Sequence, residues 1–248
     1  MSQSGHLSSA SSDSPFPAAP HACKHAGRWR PGLAPVLSGV RHSEIFGEGD
    51  EATAAAVALA FVQDGMRAAG ILPGDPRMIL WVQDRVARKL GGRPYRPGLP
   101  QPLRDRLIHV AAKTPEDALF ALEEGLRCRD LACVIGEIAG NPRALDFTAS
   151  RRLSLVVERH GIALFLVRLD ARRDLGSARM RWQVRSAPST PPRWNPAAPG
   201  SPAWQAELFR ARGFRPGEWT LREEEGLLSA EPFAGSAIRQ AQGERKRG

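Results

Sequence analysis

The chain has 248 residues, a formal net charge of +9, 42% hydrophobic residues and 25% charged residues. This length can bury one large α/β core, and the balance of apolar and charged residues is that of a globular protein. No apolar run approaches the about 20 residues that a spanning helix needs, and the first thirty residues lack the apolar stretch of a signal peptide. These features exclude a membrane-embedded or exported protein and predict a cytoplasmic one.

Cysteines and histidines give no sign of a metal centre. Cys23, Cys128 and Cys133 form no C-x-x-C pair, so neither a zinc site nor a disulfide framework is predicted. His6, His21, His25 and His42 are irregularly spaced, and solvated histidines are the prediction for the tail that holds the first three. The excess of positive charge favours an acidic partner, either nucleic acid or an acidic protein surface.

One domain is predicted over residues 31–228, between disordered tails at 1–30 and 229–248. The first tail is rich in Ser and Pro, and the second is polar. Neither has a periodic apolar face whose burial could offset the entropy lost on ordering the chain.

The segment 45–61 has the order of a strand end, a glycine turn and a buried helix, which is where an ATPase binds phosphate. A P-loop reads G-x-x-x-x-G-K-[ST], with a Lys for the phosphates and a hydroxyl for Mg²⁺. Counted from Gly47, the second glycine falls at Ala52, the Lys at Thr53 and the hydroxyl at Ala54. We therefore predict no nucleotide cofactor, no metal ion and no ATP hydrolysis. The degenerate P-loop position comprises Gly47, Gly49, Thr53 and Ala54.

Strand and helix patterns alternate along the first two thirds of the chain. Apolar runs predict strands at 78–82, 107–110, 131–136 and 162–169, and helices are predicted at 51–69, at 115–128 after a Thr114 cap, and from a Thr148 cap to Gly161. The stretch 91–102 is too rich in Gly and Pro to be regular. This alternation predicts an α/β fold with a parallel sheet flanked by helices.

The pattern changes after residue 178 to the period of two that is typical of a strand with one solvated face. Strands are predicted at 179–185, around 204–208 and around 219–221, forming an antiparallel extension on the C-terminal side of the sheet. Trp182, Trp204 and Trp219 are predicted to lie in the core. Arg179, Arg181 and Arg185 are predicted on the solvent face, where binding of an acidic partner is the alternative.

Two carboxylates follow predicted strands. Glu137 lies where a Walker B acid would lie, but a structural role is predicted because the turn offers no metal–phosphate complex for it to serve. Gln83 and Asp84 end another strand, where ATPases activate water. A solvated or helix-capping role is predicted for Asp84.

Two groups of residues are candidates for binding. The possible nucleic-acid contacts are Arg151, Arg152, Arg172 and Arg173, near Arg168; the alternative is that they pair with Glu158, Asp170 and Asp174. The possible partner contacts are Trp194, in a Pro-rich loop at 188–202, and Arg210, Arg212 and Arg215, because Trp and Arg are common anchors of interfaces.

The order of these elements resembles the core of the RecA recombinase. Within that superfamily the chain resembles the ImuA family in four segments, at 42–45, 121–128, 145–153 and 207–213. The third, Leu145-Asp-Phe-Thr-Ala-Ser-Arg-Arg-Leu153, is the most specific, and the four together cover roughly residues 40–226 in the family's order.

This resemblance implies a RecA-like accessory protein of SOS-induced mutagenic translesion DNA synthesis that lacks ATPase activity. The partners it implies are an ImuB-like protein, RecA and an error-prone polymerase, with DNA a further candidate. Two alternatives remain: a DNA-dependent ATPase with an atypical site at Asp50, Glu51 or Glu137, and a cell-division inhibitor similar to SulA.

Overall fold

The computed structural model describes residues 42–68, 75–212, 216–224 and 227–233. Its strands are β1 (His42–Gly47), β2 (Met78–Gln83), β3 (Leu107–Ala111), β4 (Leu131–Ala139), β5 (Ala163–Leu169), β6 (Met180–Ser186), β7 (Ala203–Ala211), β8 (Gly217–Glu224) and β9 (Leu227–Pro232). Its helices are α1 (Thr53–Ala68), α2 (Arg85–Gly91), α3 (Gln101–Arg104), α4 (Pro115–Arg127) and α5 (Phe147–His160), with a 3₁₀ turn at Arg96–Gly98.

All the described strands belong to one sheet with the order β3-β2-β4-β5-β1-β6-β7-β8-β9. Neighbouring strands from β3 to β6 are parallel, and those from β6 to β9 are antiparallel. The predicted fold class is thereby confirmed. Strand β1 lies between β5 and β6, so the segment that resembles a P-loop begins at the centre of the sheet.

Helices cover the two faces of the sheet unequally. Helix α1 packs on one face against β1, β5, β6 and β9, and its buried Ala, Val and Phe side chains join the core that contains Trp182, Trp204 and Trp219. The core role predicted for these three tryptophans is confirmed. Helices α4 and α5 pack on the opposite face over β2, β4 and β5 and form a second core. Strands β2, β4 and β5 supply both cores because successive side chains alternate between the faces.

Local signals set most of the helix ends. Helix α4 begins with a capping box in which Thr114 and Asp117 each accept a backbone N–H of the other, and Pro115 takes the first helical position. Helix α5 ends at Gly161, whose φ of 75° lies in the left-handed region that glycine tolerates. The predicted Thr148 cap is wrong: the side chain of Asp146 accepts from the Ala149 N–H at 2.7 Å, so the helix begins earlier.

Several elements were not predicted from the sequence. Helix α2 follows β2 directly, and the stretch 91–102, predicted to be irregular, holds the 3₁₀ turn and the start of α3. Strand β9 continues the sheet to Pro232, past the predicted domain boundary at residue 228. The tail 1–30 lies outside the described residues, as does the C-terminal tail beyond residue 233.

Strand β6 has a solvated face along only part of its length. Arg185 is exposed, but Arg181 is only 3% exposed, and its Nε donates to the Glu44 Oε2 of β1 at 2.5 Å. The predicted solvent position of Arg181 is wrong because β6 is an interior strand, and its first half lies beside β1 rather than at an edge.

Replacement of Trp182 tests the core on the α1 face. Its ring is fully buried, with centroids 5.4 Å from Phe61 and 6.2 Å from Trp219. Trp182→Ala should lower the free energy of unfolding in urea by about 3–5 kcal/mol, because it leaves a large cavity. Trp182→Phe should cost less, since the buried Nε1 makes no hydrogen bond in the described part of the chain. Trp194→Ala, at a side chain 81% exposed, is the control and should change the free energy of unfolding by less than about 0.5 kcal/mol. Equal losses in all three variants would contradict this placement.

Candidate functional site

The turn after β1 is filled by the chain's own groups. The Gly49 N–H donates to the Asp170 Oδ1 at 2.8 Å, and the Asp170 N–H donates to the Gly47 carbonyl at 3.0 Å. A Cβ on Gly49 would lie 2.5 Å from the other Asp170 oxygen and 2.8 Å from the Leu90 side chain. In a P-loop, N–H groups of this turn would face a phosphate. Here a carboxylate takes one of them, and an apolar side chain closes the space beside it.

The charge of the turn also opposes a phosphate. Residues 47–54 include three acidic residues, Glu48, Asp50 and Glu51, and no basic one. The Thr53 hydroxyl donates to Glu51 Oε2 at 2.8 Å, and Ala54 is fully buried. The residues present therefore do not fit a nucleotide polyphosphate with its metal ion, which needs cationic groups and a free hydroxyl.

Glu137 lies beside this turn, near the C-terminal end of β4 and on the face of the sheet that α1 covers. Its Oε1 accepts from the Trp81 Nε1 at 2.6 Å and its Oε2 accepts from the Gln83 Nε2 at 3.0 Å. Burial raises the pKa of Glu137, and the two hydrogen bonds oppose that effect. A cavity of about 290 Å³ lies over it, with mostly apolar walls that include Leu59 and Tyr95. Both carboxylate oxygens are engaged, so the geometry agrees with the structural role predicted for Glu137.

Asp84 is a helix cap and is buried, not solvated. Its Oδ1 accepts from the Ala87 N–H at 2.6 Å, which caps α2, and its Oδ2 accepts from the Ala139 N–H at 3.2 Å. Both oxygens of the residue at the water-activating position therefore bind backbone. The capping part of the prediction is confirmed, and the solvated part is wrong because β4 and α2 close over the side chain.

A cluster of arginines and phenylalanines joins the parallel strands to the antiparallel ones. The Arg181 guanidinium lies 5.1 Å from the Phe46 ring centre and 5.3 Å from that of Phe209, and the two rings are 5.6 Å apart, edge to face. Arg168 lies 5.6 Å from Phe46 on the other side, and Arg173 lies 4.3 Å from Phe209. These contacts place positive charge over aromatic faces, where the ring quadrupole attracts it.

The predicted nucleic-acid arginines do not form one surface. Arg152 forms an ion pair with Glu123 of α4, and Arg173 forms one with Glu207 of β7. The Arg172 N–H donates to the Asn141 side chain at 2.8 Å. The alternative prediction, pairing with Glu158, Asp170 and Asp174, is wrong for Arg152 and Arg173, because α4 and β7 bring closer carboxylates.

Arg151 instead joins residues from the predicted partner group. Two adjoining cavities of about 480 and 400 Å³ run beside α5, and both are lined by Glu158 and Arg179. We call this feature the arginine groove. Its basic side chains are Arg151, Arg159, Arg179, Arg210 and Arg212. They are far apart in the sequence, on α5, directly before β6 and at the end of β7. Only the tertiary packing brings them together.

Trp194 lies far from that groove. It is 81% exposed in the loop between β6 and β7, at the end of the hairpin where Ser186 pairs with Trp204. Arg210 and Arg212 lie at the other end of β7, whose eight residue steps span roughly 26 Å. The structure thus divides the predicted partner contacts into two surfaces. Arg215 lies outside the described residues.

Asp170 and Leu90 are the site residues that sequence reasoning missed. Asp170 was predicted only as a partner for arginines, and α2, which carries Leu90, was not predicted. An aspartate at the end of the strand beside β1 was the available signal, but it could be used only if the order of the strands were known.

No helix in the described ranges is both long and apolar enough to cross a membrane. Within those ranges Cys128 is exposed and Cys133 is buried, and burial raises the pKa of the Cys133 thiol to about 12. His42 is likewise buried, with its Nδ1 2.7 Å from the Ser154 Oγ.

The fold and the site define a mixed α/β protein with a strand, glycine turn and helix at the nucleotide-binding position, in which a carboxylate and an apolar side chain fill the turn. No family model matches the chain. The chain is 34% identical over 200 residues to Protein ImuA of two strains of Caulobacter vibrioides, and the match covers 77% of this chain and 78% of each relative. The chain therefore belongs to the ImuA family, and the resemblance found in the sequence is confirmed.

The pH dependence of stability tests the site of His42. Burial, and to a smaller extent Arg181, lower the pKa of His42 from 6.5 to about 4, against the opposing effect of Glu44. The unfolded chain therefore takes up a proton near pH 6.5 that the folded chain takes up only near pH 4. The folded state therefore has its full stability above pH 6.5 and loses stability as the pH falls towards 4. The free energy of unfolding should fall by about 3 kcal/mol over this interval.

Two variants separate His42 from the rest of the titration. His42→Gln should remove most of this decrease in urea unfolding experiments, while His160→Gln, at the end of α5, should keep it. If His42→Gln loses as much stability as the parent chain between these pH values, His42 does not hold the lowered pKa.

Proposed function

We propose that this protein is a non-catalytic accessory protein of SOS-induced mutagenic translesion DNA synthesis. It acts by binding proteins: an ImuB-like protein, RecA and an error-prone polymerase assembly. Membership of the ImuA family supports the pathway and the partners. The observation that carries the non-catalytic part is the Asp170 carboxylate, which accepts the Gly49 N–H in the turn where an ATPase would bind phosphate.

Electrostatics gives the physical reason. A triphosphate in this turn would face the carboxylates of the turn and of Asp170 with no Lys or Arg in residues 47–54 to offset them. ATPases rely on a Lys, a metal ion and loop N–H groups to stabilise the charge that develops on the phosphates. The chain keeps the shape of that site as a structural junction between β1, β5 and α1.

Two of the three carboxylates of the alternative ATPase prediction, Glu51 and Glu137, are already engaged. Glu51 accepts from Thr53, and its other oxygen is 3.4 Å from the Ser186 hydroxyl. Glu137 accepts from Trp81 and Gln83. Neither carboxylate has a basic partner or a phosphate-binding turn to work with, so the geometry favours the adaptor over the ATPase. Membership of the ImuA family favours mutagenesis over a cell-division inhibitor similar to SulA.

The loop that carries Trp194 is the candidate contact for a partner protein. The loop is held in place: the Gly200 N–H donates to the Ser189 hydroxyl at 3.2 Å, and Arg222 of β8 donates to the Thr190 hydroxyl at 3.1 Å. A large aromatic side chain exposed on a constrained loop can bind a partner with little loss of conformational entropy.

An assay of nucleotide turnover tests the non-catalytic assignment. Purified protein should release no phosphate from ATP above background, with or without single-stranded DNA, because Thr53 supplies no ammonium group and Ala54 no metal ligand. Asp170→Ala should also be inactive, since it frees the Gly49 N–H but adds no cation. Phosphate release stimulated by DNA and abolished by Gly47→Ala, whose Cβ would lie 2.7 Å from that of Ala54, would contradict the assignment.

A capture experiment tests the partner surface. Trp194→Ala should weaken binding of RecA or of the ImuB-like protein by about thirtyfold or more, because loss of a central aromatic anchor costs about 2 kcal/mol or more at an interface. Phe120→Ala removes another exposed aromatic, 68% accessible on α4, and should leave binding unchanged. Arg212→Ala tests the opposite end of the hairpin. Nuclease is added so that nucleic acid cannot bridge the proteins. If both Trp194→Ala and Arg212→Ala bind as the parent does, recognition lies elsewhere on the domain.

A further inference from the structure

We propose that the arginine groove binds a single strand of nucleic acid, without regard to its sequence. The protein-binding function proposed above does not require such a site. The inference rests instead on the shape, the charge and the exposed aromatic of the surface between α5 and the paired ends of β6 and β7.

The shape of the groove suits a chain rather than a small ligand. The two cavities meet at Glu158 and Arg179, and together they follow α5 from Phe147 to Gly161. This path is roughly 21 Å long, from a rise of about 1.5 Å per residue along a helix. A groove of this length is open to a polymer that passes along α5.

The charge of the groove is positive along its whole length. Five arginines line it, and among the described residues Glu158 is the only acidic one in either wall. Glu158 itself is 2.8 Å from the Arg179 Nη2, so part of the charge of one arginine is offset. Arg151, Arg159 and Arg212 form no ion pair with any residue in the described ranges. These guanidinium groups remain free to donate to phosphate oxygens, for which their fork of N–H groups is suited.

The effect of these charges on Glu158 shows that they converge. A hydrogen bond from Arg179 lowers the pKa of Glu158, and the nearby charges of Arg151 and Arg212 lower it further. Arginines from α5, from β6 and from the end of β7 therefore act on one point. A concentration of positive charge of this kind favours an anionic chain over a neutral or cationic one.

An exposed aromatic and the absence of an apolar anchor site favour nucleic acid over an acidic protein segment. Phe147, 53% exposed, lines the groove at the start of α5, where a base could stack on its ring. Besides Phe147, the apolar side chains among the described residues of the walls are Val157, Ala178 and Ala211, which are too small to form a pocket for a hydrophobic anchor. Single strands are bound without sequence preference by this combination of phosphate contacts from arginines and base stacking on an aromatic ring.

Fluorescence anisotropy with a labelled thymidine 20-mer tests this proposal on the full-length protein. The parent chain should bind the oligonucleotide with an affinity that falls as salt rises, because phosphate contacts release counterions. Arg151→Ala/Arg212→Ala should weaken binding by at least tenfold and should reduce the slope of log K against log salt by about 1.4, for two lost contacts at about 0.7 each.

Matched variants separate the groove from general charge and from general exposed aromatics. Arg85→Ala/Arg129→Ala removes the same charge from exposed positions outside the groove and should change the affinity by less than about twofold. Phe147→Ala should weaken binding by roughly tenfold through lost stacking, whereas Phe120→Ala should not. Circular dichroism confirms that each variant is folded before its affinity is interpreted.

Three outcomes overturn the proposal. The first is that the oligonucleotide does not bind at low salt, and the second is that the groove and control double variants lose equal affinity. The third is that poly-glutamate displaces the oligonucleotide at a lower concentration of charge than unlabelled thymidine 20-mer does. The last would assign the groove to an acidic protein segment. Since the capture experiment is done with nuclease, failure here leaves the protein-binding proposal standing, and failure there leaves this one standing.

Discussion

The buried ion pair between Glu44 and Arg181 is the interaction on which the two halves of the sheet depend. Both side chains are at most 4% exposed, and the pair links β1 of the parallel part to β6, where the antiparallel part begins. A buried charge without its partner is costly, so each residue is tolerated only if both strands are in register. The rings of Phe46 and Phe209 cover the Arg181 guanidinium and exclude water from it.

The same junction explains why the turn after β1 keeps its shape without the Lys and the hydroxyl of a P-loop. Strand β1 must remain central because it pairs with β5 on one side and β6 on the other. Its turn is then stabilised from within the chain, by Asp170 at the end of β5 and by Leu90 of α2. Asp170 adopts a left-handed backbone with φ of 50°, uncommon outside glycine, and its contacts with Gly47 and Gly49 offset that strain.

Charge is distributed so that different surfaces suit different partners. The edge with the turn after β1 is acidic and lies on the same side as the loop of Trp194, because Ser186 at the end of β6 contacts Glu51. The arginine groove follows α5 on the opposite face of the sheet from α1. A protein with two such surfaces could hold a protein partner at one and an anionic chain at the other without competition.

The sequence by itself determined the fold class, the missing P-loop residues of the turn after β1, the core tryptophans and the family. Those features depend on local periodicity, on caps such as Thr114 and on missing residue types at Thr53 and Ala54, all of which are read along the chain. Only the tertiary structure decided that Arg181 is buried, that Asp170 fills the turn, and that Arg151 lies beside Arg212. The physical reason is that the environment of a charged side chain depends on which strands become neighbours, and strand order is a long-range property. A pattern with a period of two marks two faces of a strand, but it cannot say which of them another part of the chain will cover.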